Sequence, residues 1–119
     1  MTQEVAKSIN YDKAASGLED DAGNQTINLG DISPDAGKAT IHQASLIPGT
    51  VTEGTVSVMV KWHGRADFIA LKLDGVAVVA DFADPDSLDF SIKDARVAAW
   101  RFDPTGLDGT WGINVTGWQ

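Results

Sequence analysis

Residues 68–73 and 76–82 form two apolar runs separated by nothing but Asp74 and Gly75. An Asp-Gly pair between hydrophobic segments specifies a β-hairpin with a type I′ turn. Both central residues must take positive φ, which Asp tolerates and Gly adopts freely. The turn sets the register, placing Leu73 opposite Val76, Leu71 opposite Val78 and Ile69 opposite Ala80. One side of the ribbon is then a continuous aliphatic ladder, expected in the core. The other carries Phe68, Ala70, Lys72, Ala77, Val79 and Asp81, too apolar to be simply solvated, and is expected to be covered by an N-terminal arm or another subunit.

From residue 25 onward the hydrophobic period is two, and turns follow strands at short intervals. Ile27 and Leu29 share a face, and residues 30–37 (GDISPDAG) are dense in turn formers. Residues 38–46 make a strand of undefined facing. In TVSVMVKW, Val56, Val58, Val60 and Trp62 alternate with Thr55, Ser57, Met59 and Lys61, which gives that strand one buried face. Leu88, Phe90 and Ile92 alternate next, then Ala98, Trp100 and Phe102, then Trp111, Ile113 and Val115. The pattern predicts an all-β fold, an antiparallel β-sandwich of about eight strands spanning residues 25–119. Jelly-roll and immunoglobulin-like arrangements fit it equally. Residues 1–24 read differently. They hold an acidic, breaker-rich stretch (Glu19, Asp20, Asp21, Gly23) and scattered apolar residues, with Val5, Ile9 and Leu18 able to line a short helix. They are expected to form an N-terminal arm or short helix.

At 119 residues with 43% hydrophobic content, the chain suffices for one domain with a real core. A formal charge of −8 disfavours nucleic acid and anionic membranes as partners. With no cysteine, stability has to come from packing or association. No apolar run has the length of a membrane span, and the polar start lacks the apolar stretch of a signal peptide, so folding in a cytoplasm is expected.

Chemistry-bearing constellations are sparse. Asp81, Asp84, Asp86 and Asp89 are the densest carboxylates and the candidate oxygen ligands for a calcium ion. They lack the spacing and terminal Glu of an EF-hand loop, and Asp beside Pro in a turn has ordinary backbone reasons, so a solvated turn with no metal is the expectation. His42 and His63 are the only histidines, too few for a three-histidine metal site, and no serine sits in a nucleophile elbow. Neither an enzyme nor a cofactor is expected. Of four tryptophans, Trp62, Trp100 and Trp111 fall on inward faces. Trp118 lies in the opposite phase and is a candidate for contact with a sugar ring or a neighbouring subunit.

The final third, IKDARVAAWRFDPTGLDGTWGINVTGW, resembles small structural proteins of tailed bacteriophages. In these a strand leads through a Pro-Thr-Gly-Leu-x-Gly turn into a last strand ending in Gly-Trp. The matching residues are Asp94, Ala95, Arg101, Phe102, Pro104, Thr105, Gly106, Leu107, Gly109, Gly117 and Trp118. The stretch PGTVTEGTVSVMVKWHG is similar to the entry of such virion β-domains. The resemblance implies a capsid decoration protein or a tail- or fibre-associated protein, assembled in the bacterial host cytoplasm as a homo-oligomer, often a trimer, and docked on other virion proteins. Phe68, Ala70, Val79 and Trp118 are the expected contact residues. A carbohydrate-binding β-sandwich module is the alternative.

Overall fold

The computed structural model describes residues 9–18 and 25–119. Its strands are β1 (Ile9–Leu18), β2 (Gln25–Asn28), β3 (Ile41–Pro48), β4 (Thr55–Trp62), β5 (Ile69–Ala70), β6 (Lys72–Leu73), β7 (Val76–Ala77), β8 (Val79–Asp81), β9 (Asp89–Lys93), β10 (Val97–Thr105) and β11 (Thr110–Trp118). Two sheets of antiparallel pairs, ordered β1-β11-β3-β9 and β2-β10-β4-β5, make the sandwich, with β8 also on β4 and the pair β6-β7 standing apart. The all-β sandwich expected from the alternation is what the chain forms.

The pairings decide the topology left open above. β4 pairs with β5 and β8, β3 with β9, β2 with β10, and β1 with β11. The chain is thus one long hairpin folded back on itself, with successive nested pairs falling in alternate sheets. Rolling that hairpin sets β11 beside β3 and β10 beside β4, which is a jelly roll. Inward-facing Val56, Val58 and Val60 of β4 meet Trp100 and Phe102 of β10, Trp111, Ile113 and Val115 of β11, and Ala44 and Leu46 of β3, all buried. Trp100 stacks on Phe102 with ring centroids 5.9 Å apart and planes 12° apart. A bulge between Val97 and Ala99 shifts the strand by one residue, so that Val97 is buried in place of the expected Ala98.

Two expectations are corrected. Residues Ile9–Leu18 are neither arm nor helix but β1, an edge strand paired along its length with β11. Tyr11 is its only buried side chain among those described, so its sequence carries almost no period-two signal. Val5 and the acidic stretch 19–24 lie outside the described residues. The second correction concerns the hairpin. Asp74 and Gly75 take φ of 54° and 79°, as a type I′ turn requires, and Leu73 faces Val76. The ladder ends one pair later. Beyond Lys72 and Ala77 the two arms diverge and lie end to end along β4, Ile69 and Ala70 on Val60 and Met59, and Val79 to Asp81 on Ser57 to Thr55. Neighbouring β4 offers each arm a fresh row of backbone partners, and both take it. At the junction Leu71 N–H donates to Val58, Val58 to Val78, and Val78 to Leu71. Residues 72–77 are therefore an insertion in an edge strand. Of the expected ladder only Leu71 and Ala80 are buried, Val78 is half-buried, and Ile69, Leu73 and Val76 are exposed.

Candidate functional site

Among the described residues, the split edge strand carries most of the exposed large apolar side chains. Six large hydrophobic side chains are exposed among the described residues, and four lie here: Ile69 (43%), Leu73 (38%), Val76 (68%) and Val79 (45%). A sheet edge that carries apolar side chains beside unpaired backbone groups invites contact with another chain. Soluble proteins usually blunt such an edge with charge, and here Lys72 and Asp74 alone supply it within residues 69–79.

At the Trp62 end of this edge, cations cover the aromatic side chains. Phe68 lies on the outer face of the β4 sheet, half-buried, with Lys61 Nζ 5.5 Å and the Arg101 guanidinium 5.2 Å from its ring centroid. Arg101 is held by Asp103, whose two carboxylate oxygens accept from Nε and one terminal nitrogen at 3.0 Å each. Trp62 is half-buried, and the Arg96 guanidinium stacks 4.2 Å from its centroid. Asp94 accepts from Arg96 through both carboxylate oxygens, and this hydrogen bonding holds the Asp94 carboxyl below its usual range. Trp62, Ile69, Ala70, Lys72, Asp94 and Arg96 line an open cleft.

Of the four expected contact residues, the structure brings three together. Ala70 and Val79 are exposed on the edge strand, and Phe68 sits beside them under its two cations. Trp118 does not join them. It is half-buried on the outer face of the other sheet, opposite Ile9 on β1 and Ile41 on β3, because Trp111, Ile113, Val115 and Gly117 take the inward phase of β11. Its direct cross-strand neighbours Ile9 and Ile41 are apolar, and the polar side chains of Thr116, Gln43, Asn114 and Ser45 follow further along the same face of β11 and β3.

Two of the four aspartates in residues 81–89, Asp81 and Asp84, serve the backbone. Asp81 accepts from Ala83 N–H at 2.9 Å, and Asp84 caps a short 3-10 turn (Pro85–Leu88) by accepting from Asp86 N–H at 3.2 Å. Ser87 ties the turn to Asp81 and Asp84. Among the described residues, no three His, Cys, Asp or Glu side chains are grouped as metal ligands. His63 is exposed and donates from Nε2 to Gly37 at 3.0 Å.

Sequence reasoning missed the polar centre of the core. His42 is fully buried, with Nε2 3.0 Å from the Asp94 carbonyl oxygen and Nδ1 2.7 Å from the Tyr11 hydroxyl, which accepts from Trp100 Nε1 at 3.0 Å. A carbonyl can only accept, so Nε2 carries the proton and Nδ1 accepts from Tyr11. The chain therefore runs one way, Trp100 to Tyr11 to His42 to Asp94, and every member is satisfied. Burial lowers the His42 pKa from its ordinary value and pushes the Tyr11 phenol up, so both are neutral. The signal was present in two places. His42 shares the phase of Ala44 and Leu46, and Gly117 occupies an inward position where a Cβ would overlap the Tyr11 ring.

The chain matches no protein-family model and no curated protein. A solved structure is similar to it in fold. The crystal structure of SPBc2 prophage-derived protein YomS matches with a TM-score of 0.52 at 9% identity, covering 98% of this chain and 100% of that one. At that identity the likeness is one of fold. A crystal structure of dTDP-4-dehydrorhamnose 3,5-epimerase from Bacillus anthracis str. Ames, with TDP and PPi bound, matches with a TM-score of 0.42 at 12% identity, covering 97% of this chain and 56% of that one.

Proposed function

We propose that this protein is a non-enzymatic structural component of a bacteriophage particle, a capsid decoration protein or a tail- or fibre-associated protein. It acts by self-association and by docking on other virion proteins. The observation that carries the proposal is the split edge strand, where Ile69, Leu73, Val76 and Val79 stand exposed on a rigid jelly roll. The full-length fold likeness to a prophage-derived protein supports it, as does the resemblance of the last third of the chain to phage structural proteins. Assembly in the host cytoplasm and a homo-oligomeric state, a trimer among the options, belong to the same reading. Neither nucleic acid nor a membrane is a proposed partner.

Co-sedimentation of the purified protein with particles of its own phage tests the docking. The protein is expected to pellet with the particles, and to do so less when Val76→Lys and Val79→Lys are combined. A wild-type protein that stays in the supernatant and is monomeric by light scattering would overturn the proposal. One observation favours a second reading, carbohydrate binding. Trp118 lies on an outer face between Ile9 and Ile41, with the hydroxyl and amide side chains of Thr116, Gln43, Asn114 and Ser45 next along the strands, an aromatic ring with polar groups nearby that a sugar ring could use. Glycan binding abolished by Trp118→Ala would support it.

A further inference from the structure

We infer that β1 is an acid-released strap: uptake of one proton by His42 breaks the hydrogen-bond chain that holds Tyr11 and frees Ile9–Leu18 from β11, while the rest of the jelly roll stays folded. The atoms leave little choice. In the neutral chain the Tyr11 hydroxyl hydrogen points at His42 Nδ1 and its oxygen accepts from Trp100. A proton on Nδ1 replaces that acceptor with a donor. The hydroxyl oxygen then faces two donors, and its own hydrogen loses its acceptor inside the core.

β1 is the element that yields. It is an edge strand, paired on one side only, and Tyr11 is its one buried side chain among those described. β11 keeps β3 when β1 leaves, and β10 keeps both β2 and β4. Opening β1 lets water reach the protonated imidazole for the loss of one ladder, a sub-global opening that leaves the other strand pairs in place.

Charged and titratable groups approach His42 from three other elements. Tyr11 comes from β1, and its phenol stays protonated. From the turn between β9 and β10 come Asp94, whose carboxylate is engaged bidentately by Arg96, and Arg96 itself. From the turn after β4 comes His63, whose charge disfavours a charge on His42. The backbone carbonyls of Asp94 and Ala39 and the Asp94 carboxylate favour imidazolium, and the pairing of that carboxylate with Arg96 offsets part of their effect. Burial opposes the charge and is the larger effect.

Amide hydrogen exchange of the full chain, read by peptide at about pH 7.5 and about pH 5 and corrected for intrinsic rates, tests this. Below the ordinary histidine value, protection of β1 and of the β11 amides facing it should fall by up to about tenfold per pH unit, while β4 and β10 hold. His42→Gln keeps the neutral pattern, accepting from Tyr11 and donating to Asp94 without titrating, and should keep β1 protected at about pH 5. His63→Gln should open like the wild type. Unchanged β1 protection in the wild type, simultaneous loss in all strands, or opening of His42→Gln would each overturn the inference. Should His42→Gln fail to fold, the wild-type imidazole titrations followed by NMR take its place. The opening midpoint must coincide with the His42 titration, and coincidence with that of His63 would refute the strap.

Discussion

Tyr11→Phe should destabilise the protein far more than the loss of one oxygen atom suggests. The substitution leaves the ring in place, packed over Gly117 and against Ala39, so it opens no cavity beyond the hydroxyl itself. What it removes is the middle of the chain. Trp100 Nε1–H loses its acceptor and His42 Nδ1 loses its donor, and both residues are fully buried. A buried polar group deprived of its partner costs about 1–3 kcal/mol, so the two together cost about 2–6 kcal/mol. Domains of this size are stable by roughly 5–15 kcal/mol, so the variant should fold with its margin sharply reduced.

Urea denaturation at neutral pH is the assay. With m near 1–3 kcal/mol/M, a loss of about 3 kcal/mol lowers the midpoint by about 1–3 M while m stays constant. A loss under about 0.5 kcal/mol, the range of an ordinary surface change, would refute the reasoning. The hydroxyl would then be replaceable by packing alone, and the Trp100–Tyr11–His42 chain would not be what joins the two sheets.

Other outcomes follow from the same geometry. Gly117→Ala should cost about 1–3 kcal/mol by overpacking, because its Cβ would overlap the Tyr11 ring, and the cost should shrink in a Tyr11→Ala background; a double-mutant cycle in urea measures both. Gly75→Ala should cost about 1 kcal/mol in a thermal melt, since a Cβ is strained at φ of 79° and alanine has no polar side chain to offset it, with no change in the sandwich. Stability should decline with acid in two stages. The folded His42 value is depressed, so the unfolded state takes up the proton first. Stability is whole above about pH 6.5 and falls below it by up to about 1.4 kcal/mol per pH unit, a stage absent from His42→Gln. The Asp94 carboxyl is also depressed, mainly by Arg96, so its contribution is present above the ordinary carboxylate range and lost as pH falls through the folded value. Arg96→Ala should flatten that second stage in pH-resolved melts.

How far the sequence spoke for the fold depended on whether local period matched tertiary burial. β4, β10 and β11 were legible because Val56, Val58 and Val60, then Trp100 and Phe102, then Trp111, Ile113 and Val115 alternate cleanly and are buried. The Asp74-Gly75 turn was legible because its chemistry is local. What its arms do was not, because their partner is β4, and only tertiary structure says that β4 holds both in line and pushes 72–77 out as an insertion. β1 escaped notice because one Tyr makes no period. The buried chain escaped because Tyr11 and Trp100 stand 89 positions apart. Phe68, Ala70 and Val79 were found as one surface because they flank a single turn. Trp118 was legible as outward-facing from its phase on the last strand, but not which outer face it joins, and the rolled topology sends it to the other sheet.

The split edge strand as an association surface is tested most directly by sedimentation velocity over a concentration series, on the wild type and on Val76→Lys combined with Val79→Lys. Both side chains are exposed in the single chain, so the double variant should keep the wild-type circular dichroism spectrum and still unfold cooperatively. The wild type is predicted to sediment as an oligomer that dissociates on dilution, and the double variant as a monomer throughout. A wild type that stays monomeric at every concentration, or a double variant that associates as the wild type does, would contradict the account.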